Sequence, residues 1–237
     1  MERREFIQAA ALGVAASTLI PQVSFGKDNK KKNELIFINS FKYEHQPRKL
    51  KFEPSSLKGL SPKLITSHWE NNYSGSVKAL NEIKKRLFEM SSAKDVPAYV
   101  YNDLKREHLM RTGSVVNHEL YFDNLGGNGK ASGAIQKALQ TSFGSHDSWE
   151  TEFRKIASGL AGGSGWVILG FNQHLKILEN YWCYDHMHSP AMTTPLLVMD
   201  MYEHSYHIDF GAQAAKYIDA FIANVNWDEV NRRLETI

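Results

Sequence analysis

Pro195-Leu196-Leu197-Val198-Met199-Asp200-Met201-Tyr202-Glu203-His204 is the stretch on which the reading of this chain turns. The apolar run from Pro195 to Met199 reads as a short buried strand. Directly after it come a carboxylate and an imidazole four residues apart. If the chain turns into a helix there, positions i and i+4 share a face, and Asp200 and His204 could grip one metal ion from adjacent turns. An Asp and a His at this spacing are often only an exposed pair. Here the pair follows the end of a buried strand, where sites in α/β domains collect, and two further histidines, His68 and His118, lie in patterned segments upstream.

The strand ending at Asp200 has two expected partners. Trp166 to Phe171 and Leu175 to Tyr181 read as strands joined at Asn172-Gln173. Two helices close the chain, the last capped by Asn226 with Glu229. Before the strands, Ala131, Ala134, Ile135 and Ala138 mark one amphipathic helix. Trp149, Phe153, Ile156 and Leu160 mark another, with Asp147 and Glu150 placed as a capping box. Gly126-Gly127-Asn128-Gly129 is the best internal boundary; no strand precedes it and no Lys-Ser/Thr follows in register, so it is not a phosphate loop. Upstream, Ser61-Pro62 opens a helix, with Ser capping and Pro at its first position. Val77, Leu80, Ile83 and Leu87 recur at helical spacing until Ser91-Ser92, and Pro97 opens a second helix whose stripe includes Val115, His118 and Phe122. His118 therefore faces inward. The layout is α+β: a helical hairpin over residues 57–126, then an α/β domain over 127–237 with a small three-stranded antiparallel sheet.

With 237 residues, 42% of them hydrophobic and 23% charged, the chain suits one globular domain or two small ones. A net charge of +2 and no basic stripe interleaved with aromatics argue against a nucleic-acid binder. Cys183 stands alone, which excludes an intrachain disulfide and leaves a small buried apolar residue. Arg3-Arg4-Glu5-Phe6-Ile7 before the apolar stretch Ala9 to Ile20 describes an export signal over residues 1–26, too short to span a membrane and similar to the twin-arginine type. The mature protein is then periplasmic or secreted, with no membrane in its mature form. Residues 27–56 read as a Lys-rich linker and an extended lead-in.

Several separated segments, in order, resemble one family, the iron/manganese superoxide dismutases. Asp200-Met201-Tyr202-Glu203-His204 with Ser205-Tyr206-His207-Ile208-Asp209-Phe210 resembles its Asp-x-x-Glu-His segment, and Gly163-Ser164-Gly165-Trp166 its Gly-Ser-Gly-Trp. Asn117-His118-Glu119-Leu120-Tyr121-Phe122 resembles its Asn-His-x-x-Tyr-Trp segment, Ile65-Thr66-Ser67-His68 its first helix, and Asn224-Val225-Asn226-Trp227 its C-terminal Val-Asn-Trp. The resemblance implies that His68, His118, Asp200 and His204 bind one iron or manganese ion. Imidazole and carboxylate donors suit such a first-row metal, and zinc is a poorer candidate. It also implies that superoxide is dismutated to dioxygen and hydrogen peroxide while the metal alternates between two oxidation states.

The surroundings of these ligands depart from the family. Its Tyr eight residues after the first ligand falls on Ser76, a His falls on Asn72, and a Tyr beyond the last ligand falls on His207. Tyr202 replaces a Trp, and the usual Arg has become Ala in Gln213-Ala214-Ala215-Lys216. Tyr184-Asp185-His186 resembles the version in which a His after the last hairpin strand bonds the solvent on the metal; the small Ser114, four residues before His118, leaves room for it. Trp166 is expected to wall the cavity. Glu203 matches the residue that bridges to a partner subunit, which implies a homodimer. The alternatives are a dismutase-like metal-binding protein with little turnover, and a mononuclear iron oxygenase, against which a fourth protein ligand argues.

Overall fold

Ser61 opens the first helix: its side chain accepts from the Leu64 backbone N–H at 3.1 Å, and Pro62 takes the first helical position. The structure is a computed structural model that describes residues 40–41 and 44–237. The expected export signal and the Lys-rich run lie outside these residues. Helix α1 spans Pro62–Ser67 and runs into a π-helical turn, His68–Tyr73, which leads directly into α2, Ser74–Ser91. A reading at 3.6 residues per turn passes over such a turn. Inserted π geometry rotates everything after it relative to the residues before. Here it leaves both His68 and Tyr73 in the interior, with Val77, Leu80 and Leu87 continuing the buried face.

Pro97 caps α3, Ala98–Asp123, which lies along α2 as a hairpin and presents Val115, His118 and Phe122 inward. Beyond the glycine-rich stretch, whose Gly127 and Gly129 amides bond the Asn224 and Val225 carbonyls, come α4 (Ala134–Phe143) and α5 (His146–Gly159). Two details differ from the sequence reading. Ala131 precedes α4, because the chain passes through Gly133 at φ 74 before the helix begins. Ser145, not Asp147, caps α5 by accepting from the Ser148 amide, and Asp147 sits in the first turn, where its charge favours the helix dipole.

The sheet is antiparallel in the order β2-β1-β3, with β1 Trp166–Asn172, β2 Ile177–Cys183 and β3 Thr193–Asp200. The hairpin connection is four residues long, 173–176, rather than a two-residue turn. Asn172 Oδ1 accepts from the His174 and Leu175 amides at 3.0 Å each, and Lys176 closes the turn at φ 59. A bulge in β3 near Leu196 is held by Arg233, which donates to the Leu196 carbonyl at 2.8 Å. The chain ends in α6 (His207–Phe210), α7 (Ala214–Ala223) and α8 (Trp227–Leu234), the last capped by Asn226.

Register is what positions the site. Trp166, the first residue of central β1, pairs with Cys183 on one side and Asp200 on the other. The segments leaving β2 and β3 therefore emerge side by side around Trp166. Gly165 sits at φ 140, and a Cβ there would meet the Cys183 carbonyl oxygen at 2.4 Å, so only glycine lets the strands close at this end. One apolar core runs continuously from Leu57 to Val230, with Trp149, Trp166, Tyr217 and Phe221 fully buried in it.

Candidate metal centre

Asp200 ends β3, and the chain turns at once. Its Oδ1 accepts from the Tyr202 amide at 2.8 Å, which fixes the carboxylate and leaves Oδ2 facing inward. His204 then arrives on a 3-10 turn, Glu203–Ser205, rather than on an α-helix. The tight turn still brings it back over the carboxylate, with His204 Nε2 3.2 Å from Asp200 Oδ2. Helix α1 is tied to the same region, since Ser61 donates from its amide and its hydroxyl to Asp209. That brings His68 Nε2 to 3.1 Å from Asp200 Oδ2, while His118 Nε2 from α3 lies 3.6 Å away. The donor atoms of His68, His118, Asp200 and His204 all fall within 4.8 Å of one another.

This arrangement makes little sense as a set of hydrogen bonds. Both His68 nitrogens and His118 Nε2 are buried with no hydrogen-bond partner among the described residues. Leaving such donors or acceptors unsatisfied costs about 1–3 kcal/mol each. It makes sense as a ligand set: donors about 2 Å from a shared ion lie roughly 3–4 Å from each other. His118 is prepared for that role by its other nitrogen. Nδ1 is 2.7 Å from the Ser114 carbonyl, which can only accept, so Nδ1 carries the proton and Nε2 offers its lone pair. Protonation is also resisted. Burial, then the neighbouring His68, push the His118 imidazole down to about 3, and burial lowers His68 despite the Asp200 carboxylate. For Asp200 burial works the other way, but the His204 and His68 imidazoles outweigh it and hold the carboxyl far below the usual range. Three imidazoles and one carboxylate fit an iron or manganese ion.

A cavity of about 280 Å³ opens above these donors, lined by Asn72, Ser76, Arg111, Ser114, His186 and Tyr202 together with His118 and His204. His186 is carried there by the segment leaving β2. Trp166 Nε1 donates to His186 Nδ1 at 3.0 Å, and an indole N–H cannot accept. Burial pushes the imidazole down to about 4, so at neutral pH its single proton sits on Nε2. Tyr202 stacks on His186 with ring centroids 4.5 Å apart, and burial, then the Asp200 charge, hold its phenol well above the ordinary range and therefore protonated. Ser76 and Ser114 are both buried and hydrogen-bonded to each other at 2.9 Å, with Ser114 Oγ 3.3 Å from His118 Nδ1. Trp166 backs the wall rather than lining it: fully buried, it stands edge-on to His118 and holds His186.

Asn72 lines the cavity from the π-helical turn, whereas Glu203 and His207 are exposed on the outer surface. Three features escape a reading of the sequence. The π turn has no periodic signature. Gly113 looks like a helix defect, yet a Cβ there would meet the His186 carbonyl oxygen at 1.8 Å, so the glycine is what admits the His186 segment against α3. Arg111 could have been found, since it precedes Ser114 by three residues and His118 by seven and so shares their helix face.

Residues 131–233 match the C-terminal domain of the iron/manganese superoxide dismutases. The chain is 48% identical over 191 residues to a superoxide dismutase [Fe] of Cupriavidus metallidurans, an overlap that covers 81% of this chain and 95% of that relative. It is 35% identical over 190 residues to the superoxide dismutase [Fe] of Aquifex pyrophilus, covering 77% and 88% of the two chains. With a superoxide dismutase [Mn] of Mycolicibacterium smegmatis it shares 31% identity over 177 residues, covering 73% and 84%.

Proposed function

The chain belongs to the iron/manganese superoxide dismutase family, and from that premise we propose how its own residues carry the dismutation of superoxide to dioxygen and hydrogen peroxide. The observation that carries the reading is the convergence of His68, His118 and His204 Nε2 on Asp200 Oδ2, with buried nitrogens that nothing among the described residues satisfies. Bound there, iron or manganese supplies the one-electron redox chemistry. The four side chains hold the ion, and Ser114 and the Tyr202 amide fix the two donors that would otherwise turn.

His186 is the residue that acts on the cavity side. Trp166 fixes its ring, and its Nε2–H donates to solvent or substrate oxygen above the ligands. Ser76 and Ser114 give the same cavity a pair of hydroxyls able to donate and accept, in place of a phenol. His186→Ala is expected to keep the metal but shift both its absorption spectrum and the dismutation rate. Unchanged spectrum and rate would assign the role to another residue. The reading as a whole is tested on one purified, folded sample by metal analysis and superoxide consumption. A fully loaded protein that consumes no superoxide would favour the alternative, a dismutase-like metal-binding protein.

Two further readings go with this one. The protein is exported, with Arg3-Arg4 and the apolar run as its signal, and resides in the periplasm or outside the cell. Replacing both arginines by Lys should stop its export. It is a homodimer closed near Glu203: His204 is 25% exposed, and the exposed Glu203, His207 and Ile208 beside it form a surface that a second subunit would cover. A monomer in sedimentation at micromolar concentration would contradict it.

A further inference from the structure

The metal ligands are not all oriented in the same way. Asp200 is fixed by the Tyr202 amide and His118 by the Ser114 carbonyl, whereas neither His68 nitrogen has a hydrogen-bond partner among the described residues. The Tyr121 and Phe122 rings flank His68 at centroid distances of 5.1 and 5.0 Å, but ring contacts do not set the angle of an imidazole as a hydrogen bond does. Its direction comes from its backbone, and His68 is the first residue of the π-helical turn. Such a turn is a rare geometry that needs support from outside itself.

That support comes from the lead-in. Two residues of the turn bond the backbone of Arg48 on both its sides. Trp69 Nε1 donates to the Arg48 carbonyl at 2.9 Å, and the Arg48 amide donates to the Tyr73 hydroxyl at 2.8 Å. The same hydroxyl donates to Glu119 Oε1 at 2.9 Å, on the residue that follows the ligand His118. Tyr73 is 1% exposed, and its phenol is pushed up to about 12, first by burial, so the hydroxyl keeps the proton it donates. Arg48 Nε also lies 3.0 Å from Glu119 Oε2, but with the Arg48 side chain 68% exposed this ion pair adds little. The bonds through Tyr73 and Trp69 are the ones that matter.

We propose that Arg48, Trp69 and Tyr73 form a clasp that positions His68: the lead-in, docked on the π-helical turn, holds the imidazole at the angle the ion requires and so slows the ion's release. The three are positioning residues, and the proposal rests on the reading of His68 as a metal ligand.

The test uses metal-loaded protein and compares Tyr73→Phe, Trp69→Phe and Glu119→Gln with a control, Asn180→Ala, which removes bonds to Trp149 and Glu152 between β2 and α5. Metal content, the metal's absorption spectrum, the rate of metal loss to excess EDTA and the melting temperature of the metal-free protein are measured. Tyr73→Phe keeps the ring but loses both bonds of the hydroxyl. It is expected to load metal, shift the spectrum and release metal roughly three- to tenfold faster, less than for a group that touches a ligand directly. Trp69→Phe should show the same shift with release about two- to threefold faster, since one bond of the clasp is lost. Glu119→Gln keeps an acceptor for the phenol and should release metal within about twofold of the parent. Asn180→Ala should lower the melting temperature without changing spectrum or release. Parent-like spectrum and release in Tyr73→Phe would overturn the clasp. So would release in Asn180→Ala as fast as in Tyr73→Phe at an equal loss of stability, because the effect would then be one of general loosening. If Tyr73→Phe does not fold, an unchanged spectrum and release in Trp69→Phe would overturn it instead. A parent protein that takes up neither iron nor manganese would bring down the ligand reading and the clasp together, whereas a metal-holding parent matched by Tyr73→Phe removes only the clasp.

Discussion

The floor of the site and the wall above it are built differently. On the floor, Asp200 and His68 are completely shielded from solvent and His118 is 1% exposed, with Asp200 and His118 fixed by hydrogen bonds within the fold. In the wall, Asn72, Arg111, His186 and Tyr202 are only half-buried, and they come from four separate places: the π-helical turn, α3, the stretch after β2 and the turn after β3. The floor is over-determined because it must force three imidazoles and a carboxylate into one small volume. The wall has no such demand on it: Ser76 and Ser114 meet there only as a hydroxyl pair, with Asn72 and Tyr202 beside them.

If this contrast is right, damage to the floor should be the most severe. His118→Ala removes a donor and leaves Ser114 and Asp200 without their partner. Metal content should fall at least tenfold and the melting temperature with it, since metal binding contributes to folding. Full occupancy in that variant, measured by elemental analysis, would remove His118 from the ligand set.

The floor should also make the metal-free protein sensitive to acid. His118 has a folded pKa of about 3, below its unfolded value of about 6.5, and His186 at about 4 and His68 shift the same way. Between those values the unfolded chain binds more protons, so stability is present above about pH 6.5 and drains away as pH falls. His118 alone contributes a slope of about 1.4 kcal/mol per pH unit in that window. Asp200, depressed as well, adds its own loss at still lower pH. Melting curves of the metal-free protein from pH 7.5 to 5 should fall steadily, and fall less in His118→Gln. A flat profile would mean that these imidazoles are solvated without the metal.

The joint between floor and wall is Gly113. Its missing side chain admits the His186 carbonyl, which a Cβ would meet at 1.8 Å. Gly113→Ala must push that segment away. Overpacking of this kind costs about 1–3 kcal/mol, a drop of roughly 2–12 °C in melting temperature. Metal content should hold, because His118 lies more than a helical turn further on. The metal spectrum should move toward that of His186→Ala. Loss of metal instead would show that floor and wall are not separable.

These particulars explain what could be read in the sequence. Asp200 and His204 were legible because a strand end and a four-residue spacing are local facts. His118 was legible because a helical stripe holds it inward, and Ser61-Pro62 and Asn226 because caps are local chemistry. The three-stranded sheet followed from a change of period. The π turn at His68–Tyr73 was not legible, because its cause is tertiary: it is sustained by where His68 and Tyr73 must end up. The cap at Ser145 and the four-residue hairpin connection were missed through competing signals a few residues apart. The pairing of Gly113 with His186 joins positions 73 residues apart and has no trace in either neighbourhood.

The smallest effect is expected where the wall is most open. Ser76 is buried at the cavity lining and bonds Ser114, so Ser76→Tyr would trade a hydroxyl pair for a phenol pointing into the same space. The cavity, at about 280 Å³, has room for a ring without moving a ligand. Metal content should therefore be unchanged. Azide should bind a few-fold more weakly, because the ring takes up volume the anion uses. The effect on turnover depends on where the proton for peroxide comes from. Solvent reaches this open cavity, so proton supply limits the rate only when protons are scarce. The variant should match the parent at pH 7 and exceed it by about twofold near pH 9, since a positioned phenol still carries its proton there. Equal rates at both values would mean that the serine pair and His186 already deliver protons as fast as the reaction takes them. A slower variant at pH 7 with metal retained would mean that the space itself, and not a missing donor, is what this wall provides.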